Sequence, residues 1–172
     1  MDLRYNARII DSDMDLRNAQ HVLAGTAWGE ARGDGPSGMQ AVCNVVMNRV
    51  ARGGWWGATV LEVCLKPWQF SCWNADDPNR AKIMNLHPVD SDYAVALGLA
   101  LKGINGSLPD ITGGADSYYD LSMPSPPSWA AGLEPCATIG SQAFFRTEGP
   151  PASATADDLN AAELAALSGG QT

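Results

Sequence analysis

Apolar residues between Met39 and Val50 recur on one helix face: Met39, Val42, Cys43, Val46, Met47 and Val50 fall at i, i+3, i+4, i+7, i+8 and i+11. The helix they predict begins at Pro36, a residue suited to a first helical position, and stops at Gly53-Gly54. Upstream, Leu16, Ala19, Leu23 and Ala27 form a second stripe at spacings of three and four, predicting a helix from Met14 to Arg32. Ser12 or Asp13 supplies its cap, Asp15 the carboxylate of a capping box, and Gly33 its stop. Glu30 prolongs that stripe, three residues past Ala27. Only Gly33-Asp34-Gly35 separates the two helices, so a carboxylate sits at the edge of an apolar face just before a tight corner.

Shorter patterns follow. Ala58 to Leu65 reads as a short helix closed by Lys66-Pro67, and Asn79 to Leu86 as another. Gln69-Phe70-Ser71-Cys72-Trp73 alternates and is aromatic, which predicts a short strand or an extended loop. Asp90 or Ser91 caps a helix running to Lys102 and stopped by Gly103; its centre, Ala94 to Leu101, is apolar all round and predicts a buried central helix. From Pro109 the texture changes to loop and strand, with strand signals at Tyr118-Tyr119 and at Ala143-Phe144-Phe145. Residues 149–172 are rich in Ala, Ser, Gly and Thr and carry Asp157, Asp158 and Glu163 without a basic residue, which predicts a flexible acidic tail with a weak helix from Asp157 to Leu167. The expected organisation is one mainly helical α+β domain over residues 1–148, followed by that tail.

Composition narrows the function classes. A net charge of −8, with eleven scattered Lys and Arg, leaves no basic face for nucleic acid. The apolar run Ala94–Leu101 is far shorter than the roughly 20 residues needed to cross a bilayer, so no membrane insertion is expected. The N-terminus, Met1-Asp2-Leu3-Arg4-Tyr5-Asn6, lacks the apolar region of a signal peptide. Cys43, Cys64, Cys72 and Cys136 form no C-x-x-C pair and read as buried thiols without chemistry, a disulfide being the alternative. His21 and His87 have no i, i+4 partner histidine, and neither a metal nor another cofactor is expected.

Glu30 is the foremost candidate for chemistry. Apolar neighbours disfavour an ionised carboxylate and raise its pKa, as a general acid requires. The alternatives are a structural ion pair with Arg32 or Arg49, or a surface Glu of the last turn. Asp34, Asp76, Asp77, Asp110 and Asp116 are candidates for a second carboxylate, although loop aspartates commonly serve as turn-makers. Of six tryptophans, Trp73 is the one expected at a cleft.

Several blocks, in order, carry a resemblance. Trp28-Gly29-Glu30-Ala31-Arg32-Gly33-Asp34 resembles the G-E-A-R-G-E signature of the SleB/CwlJ-type cell wall hydrolases, with Asp for the last Glu. Val46-Met47-Asn48-Arg49-Val50, Thr59-Val60-Leu61-Glu62-Val63 and Gln69-Phe70-Ser71 are similar to that family's V-x-N-R-V, T-V-x-x-V and Q-F-S segments. Thr112-Gly113-Gly114-Ala115 with Tyr118-Tyr119 resembles its T-x-G-A-x-x-Y-Y stretch, and Ile139 to Phe144 its I-G-x-H-x-F, with Gln142 in place of His.

The resemblance implies a lysozyme-like fold with a small β-sheet. It implies Glu30 as catalytic acid, with Gln69, Phe70, Tyr118 or Tyr119, and Gln142 in the place of the family His, as substrate-binding residues; Trp73, beside the Q-F-S block, is added to them as an aromatic of the cleft. The partner it implies is peptidoglycan, cut at the MurNAc–GlcNAc β-1,4 bond. A lytic transglycosylase needs one acid/base whereas a lysozyme-type muramidase wants a second carboxylate, and a single outstanding Glu favours the former. Two further readings stand beside these: a stem-peptide cysteine peptidase and a non-catalytic wall-binding virion component. A monomeric enzyme of phage or prophage type is expected, made in the cytoplasm and reaching the periplasmic wall after release.

Overall fold

The computed structural model describes residues 13–147, with side chains from residue 18 onward. The cap expected at Ser12 to Asp15 and the tail from 149 lie outside what is described. Among the described residues five α-helices come first: α1 (Asp13–Ala31), α2 (Gly35–Arg52), α3 (Val60–Leu65), α4 (Pro78–Ile83) and α5 (Ser91–Ile104). Three strands follow, β1 (Ser117–Asp120), β2 (Ala137–Ile139) and β3 (Gln142–Phe145).

The two strongest stripes fold as expected. Leu23 and Ala27 of α1 and Met39, Val42, Cys43 and Val46 of α2 meet in one core with Val63, Cys64, Phe70, Ala96 and Ala100. A fully buried Val, Leu or Phe contributes about 1.5–3 kcal/mol relative to its exposed state, which makes this cluster the main source of stability. Pro36 sits in the first turn of α2, and Gly35 takes a φ of 70° that other residues adopt only with strain. Gly53, at φ 61°, closes the far end by donating its N–H to the Arg49 carbonyl.

α2 has a second buried face. Ala41 and Val45 pack against Ala115 and Phe144, so the helix is sandwiched between α1 with α5 on one side and the sheet on the other. The sheet is antiparallel in the order β1-β3-β2, with Tyr118 opposite Phe144, Tyr119 opposite Ala143, and Asp120 opposite Gln142. Central β3 is buried along its whole length. On the outer face Phe145 and Ala143 gather Tyr119, Trp129 and Ala130 into a separate cluster.

Three expectations are corrected. The Gln69–Trp73 segment is no strand: Ser71–Trp73 is a single 3-10 turn, because its inward side chains meet a helix rather than a neighbouring strand. α5 is not buried all round. Only Tyr93, Ala96, Ala100 and Gly103 are inside, while Val95 and Leu101 each keep 40% of their surface. Small residues let α5 lie close to α1 and α2 along one face, and its apolar composition overstated its depth. Finally, β2 was not anticipated; Ala137-Thr138-Ile139 is too short for a periodic signal and is paired along one side only, to β3.

Candidate active site

The long loop before β1 is fastened to the polar side of α2. Asn44 donates to the Pro109 carbonyl (3.1 Å) and accepts from the Ile111 N–H (3.1 Å). Asn48 donates to the Ala115 carbonyl (2.9 Å) and to Asp110 (3.1 Å). Arg49, buried among aromatic rings, donates through Nε to the Asp116 carbonyl (2.7 Å) and through Nη1 to Gln69 Oε1 (3.1 Å). Its guanidinium lies over Trp56 (4.3 Å) and Phe70 (5.0 Å). Arg52 pairs with the fully buried Asp116, which also accepts from Ser117 and Thr147. The asparagines and arginines of α2 therefore fix where β1 starts.

From that anchor, strand alternation decides which tyrosine turns inward. Tyr118 faces the helices, its ring 5.4 Å from Phe144, and its hydroxyl donates to Glu30 Oε2 at 3.1 Å. Tyr119 points to the outer face, stacked on Phe145 (5.4 Å, 15°) with Trp129 edge-on at 6.0 Å. Of the two, only Tyr118 is brought to the acid.

Glu30 occupies the last turn of α1. Its neighbour Gly29 has no room for a side chain, since a Cβ there would stand 2.9 Å from Cys72 Cβ and 3.1 Å from Cys72 Sγ. Gly25, one turn earlier, is equally constrained by Ile83 (2.7 Å) and Trp73 (3.3 Å). These glycines let the Ser71–Trp73 turn and α4 press onto α1. Cys72 is consequently brought beside the end of α1, close enough to act on the Glu30 carboxyl. Burial pushes the Glu30 pKa up; the donors from Cys72 and Tyr118 act against it, the negative Asp77 adds to it, and the balance is a raised value.

The ion pair considered for Glu30 gives way to these partners. Arg32 turns back onto the Trp28 and Gly29 carbonyls (3.3 and 3.2 Å) and Asn79 (3.1 Å), with its guanidinium over the Trp28 ring. Among the candidate second carboxylates, Asp34 accepts from the Ser141 N–H and hydroxyl, both at 3.1 Å, and so holds the β2–β3 turn. Asp110 shapes its own turn: burial pushes its pKa up, but hydrogen bonds from Thr112, Asn48 and Gly114 outweigh that and hold it below the usual range. Asp76 is exposed. Asp77 caps α4 by accepting from the Asn79 N–H (2.7 Å), and it is the one whose charge is felt at Glu30.

The remaining expected site residues fall around this centre at different depths. Phe70, with 2% of its surface left, stands in the core behind the site, and Gln69 is held by Arg49. Trp73 is half-buried and donates from Nε1 to Thr26 Oγ1 (2.9 Å). Gln142 lies opposite Asp120 and therefore shares the inner sheet face with Tyr118; its buried Oε1 has no hydrogen-bond partner. Three cysteines are buried free thiols as expected, but Cys136 is exposed, because it lies just before the outermost strand. Cys72 is also the thiol that acts on the Glu30 carboxyl. Its place directly after Gln69-Phe70-Ser71 was the one available signal. A cavity of about 500 Å³ lined by Trp55, Trp56, Leu61, Leu65 and Lys66 shares no residue with this group.

A family model described as cell wall hydrolase matches residues 33–145. That match begins three residues after Glu30, so the case for the acid rests on its surroundings. The structure is similar to the catalytic domain of the Bacillus cereus SleB protein, with a TM-score of 0.60 and 26% identity over 76% of this chain and 91% of that one. It is also similar to the catalytic domain of the germination-specific lytic transglycosylase SleB from Bacillus anthracis, with a TM-score of 0.59 and 26% identity over 75% and 94%. No curated protein matches the chain. With most of the described residues inside the family match and the same mainly helical α+β fold as two SleB catalytic domains, the chain belongs to the cell wall hydrolase family.

Proposed function

We propose that the chain cleaves the glycan strand of peptidoglycan at the MurNAc–GlcNAc β-1,4 bond, as a lytic transglycosylase with Glu30 as its single acid/base. The observation that carries this reading is a carboxyl raised in pKa by burial and surrounded by neutral donors. Such a group keeps its proton to higher pH than an ordinary glutamate and gives it to the leaving glycosidic oxygen as the C1–O bond breaks. The carboxylate left behind then takes the proton of the MurNAc 6-hydroxyl while that oxygen bonds to C1, closing a 1,6-anhydro ring. Proton count is restored and no water is consumed. The Bacillus anthracis relative, itself described as a lytic transglycosylase, supports the same choice.

One observation favours a second reading. Asp77 is close enough for its charge to act on Glu30. If it activated a water molecule, the reaction would be hydrolysis, as in a muramidase. The peptidase reading finds little support: burial pushes the thiols of Cys43 and Cys64 up to about 12 and that of Cys72 well above its usual value, the reverse of a nucleophile. His21 is occupied with the Tyr93 hydroxyl at 2.8 Å. Mass analysis of digested peptidoglycan separates the cases. Fragments ending in anhydro-MurNAc, one water lighter than reducing ends, are expected; reducing ends together with loss of activity in Asp77→Asn would favour hydrolysis, and cut stem peptides would refute both.

A further inference from the structure

We infer that, with peptidoglycan as the polymer acted upon, the cavity between the α2–α3 connection and α3 is a second, non-catalytic site that takes a neutral saccharide unit of the glycan strand. The cavity measures about 500 Å³, within the roughly 300–1,000 Å³ of small-ligand clefts, and shares no residue with the group around Glu30. Trp55, Trp56, Leu61 and Leu65 give it apolar walls, and Glu62 and Lys66 are its charged groups. Trp55 and Leu65 keep 40% and 47% of their surface, whereas Trp56 keeps 5%. An exposed apolar concavity edged by polar groups has the form of a binding surface.

Glycine shapes the loop. Gly57 holds a φ of 117°, and a Cβ on it would stand 2.9 Å from Glu62 Cβ, so only glycine lets the connection close against α3. The Trp55 and Trp56 rings meet edge-on at 4.8 Å. Lys66 Nζ lies 4.0 Å from the centre of the Trp55 ring and donates to the Trp55 carbonyl. Trp56 in turn carries the Arg49 guanidinium at 4.3 Å, and the same guanidinium holds Gln69, so the cavity is backed by the framework of the active site. Trp56 Nε1 is a buried donor without a partner. The ligand class follows from these groups. Indoles and leucines suit the C–H face of a pyranose ring, while an ammonium and a carboxylate supply donors and acceptors for its hydroxyls. Their opposite charges favour a neutral sugar over an anionic stem peptide. A further indole stands in the turn from Lys66 to Gln69, closed by the Gln69 N–H on the Lys66 carbonyl (3.1 Å). There Trp68 takes a φ of 67° at the third position, where glycine is usual after proline, and keeps 42% of its surface. A bulky aromatic held strained and in solvent offers the strand one more face.

The probe is a tetramer of N-acetylglucosamine, which carries no stem peptide and no MurNAc–GlcNAc bond to cut, titrated into the ¹⁵N-labelled wild type. The Trp55 indole N–H resonance, assigned by its absence from Trp55→Ala, should shift saturably. Lys66→Met, which keeps the stem over Trp55 but loses the donor, should weaken that response. On insoluble walls, Glu30→Gln combined with Trp55→Ala should be held roughly tenfold less tightly than Glu30→Gln alone, since two holds on one strand reinforce each other. With Glu30 intact, Trp55→Ala should lose activity on whole walls and keep wild-type turnover on short soluble fragments. A Trp55 resonance indifferent to the tetramer, or equal retention of the two proteins on walls, would overturn the site. So would self-association abolished by Trp55→Ala, which would give the patch to a second copy of the chain. Turnover retained by Glu30→Gln would instead remove the catalytic reading of Glu30 and leave the tetramer titration to decide the site alone.

Discussion

The carboxyl of Glu30 is asked to keep a proton where an ordinary glutamate loses one, and this sets both its activity and its cost. Because its folded pKa is raised, the folded state binds that proton more tightly than the unfolded chain does. Ionisation therefore costs stability. The cost is absent below the ordinary carboxylate range and complete above the raised value. Glu30→Gln removes it, so the variant should melt higher than wild type at pH 7, with the difference vanishing in acid. The same variant should lose about 10²–10⁴-fold or more in turnover while still binding glycan, measurable by pull-down on purified walls. Tyr118→Phe works in the opposite sense to a lost acid. It deletes a donor to the ionised form, so the alkaline limb of the pH–rate profile should shift to higher pH while turnover persists. A fall as severe as that of Glu30→Gln would mean that the phenol itself takes part in proton transfer.

At the scale of elements, the site depends on how closely α1 and the Ser71–Trp73 turn approach. Gly29→Ala places a methyl 2.9 Å from Cys72 Cβ, and overpacking of this kind costs about 1–3 kcal/mol. Activity per folded molecule should fall further than stability suggests, because the added methyl pushes Cys72 away from the acid; a calorimetric scan paired with turnover on the same sample checks it. The helices and the acid were legible in the sequence because they are local. Glu30 continues a stripe set by Leu23 and Ala27, and α2 carries six apolar positions in register. What surrounds the acid was not legible in the same way. A cysteine that lies against an acid looks, in a pattern of apolar positions, like one that only fills space. Tyr118 and Tyr119 were equivalent until β1 had a face, and that face is chosen by Arg49, 67 residues away from Asp116. The Gln69–Trp73 alternation imitated a strand, but the segment is a turn laid against a helix, with Gln69, Phe70, Ser71 and Cys72 all buried.

For the whole molecule, α2 is the member that joins helices to sheet, and Phe144 is the largest fully buried side chain at the joint. Phe144→Ala should cost about 3–5 kcal/mol, read as a lower midpoint in denaturant at unchanged slope. It should also loosen Tyr118, whose ring rests on Phe144. The acid and its phenol are 88 residues apart, and β1 is held in the sheet by β3, which follows it in the chain. A refolding chain can therefore complete its early helices long before it owns a working site, since contacts this distant in sequence close late. Far-UV ellipticity should recover first and glycan cleavage afterwards, on a slower phase shared with tyrosine fluorescence. During synthesis the same order makes the emerging chain inert until β3 has docked.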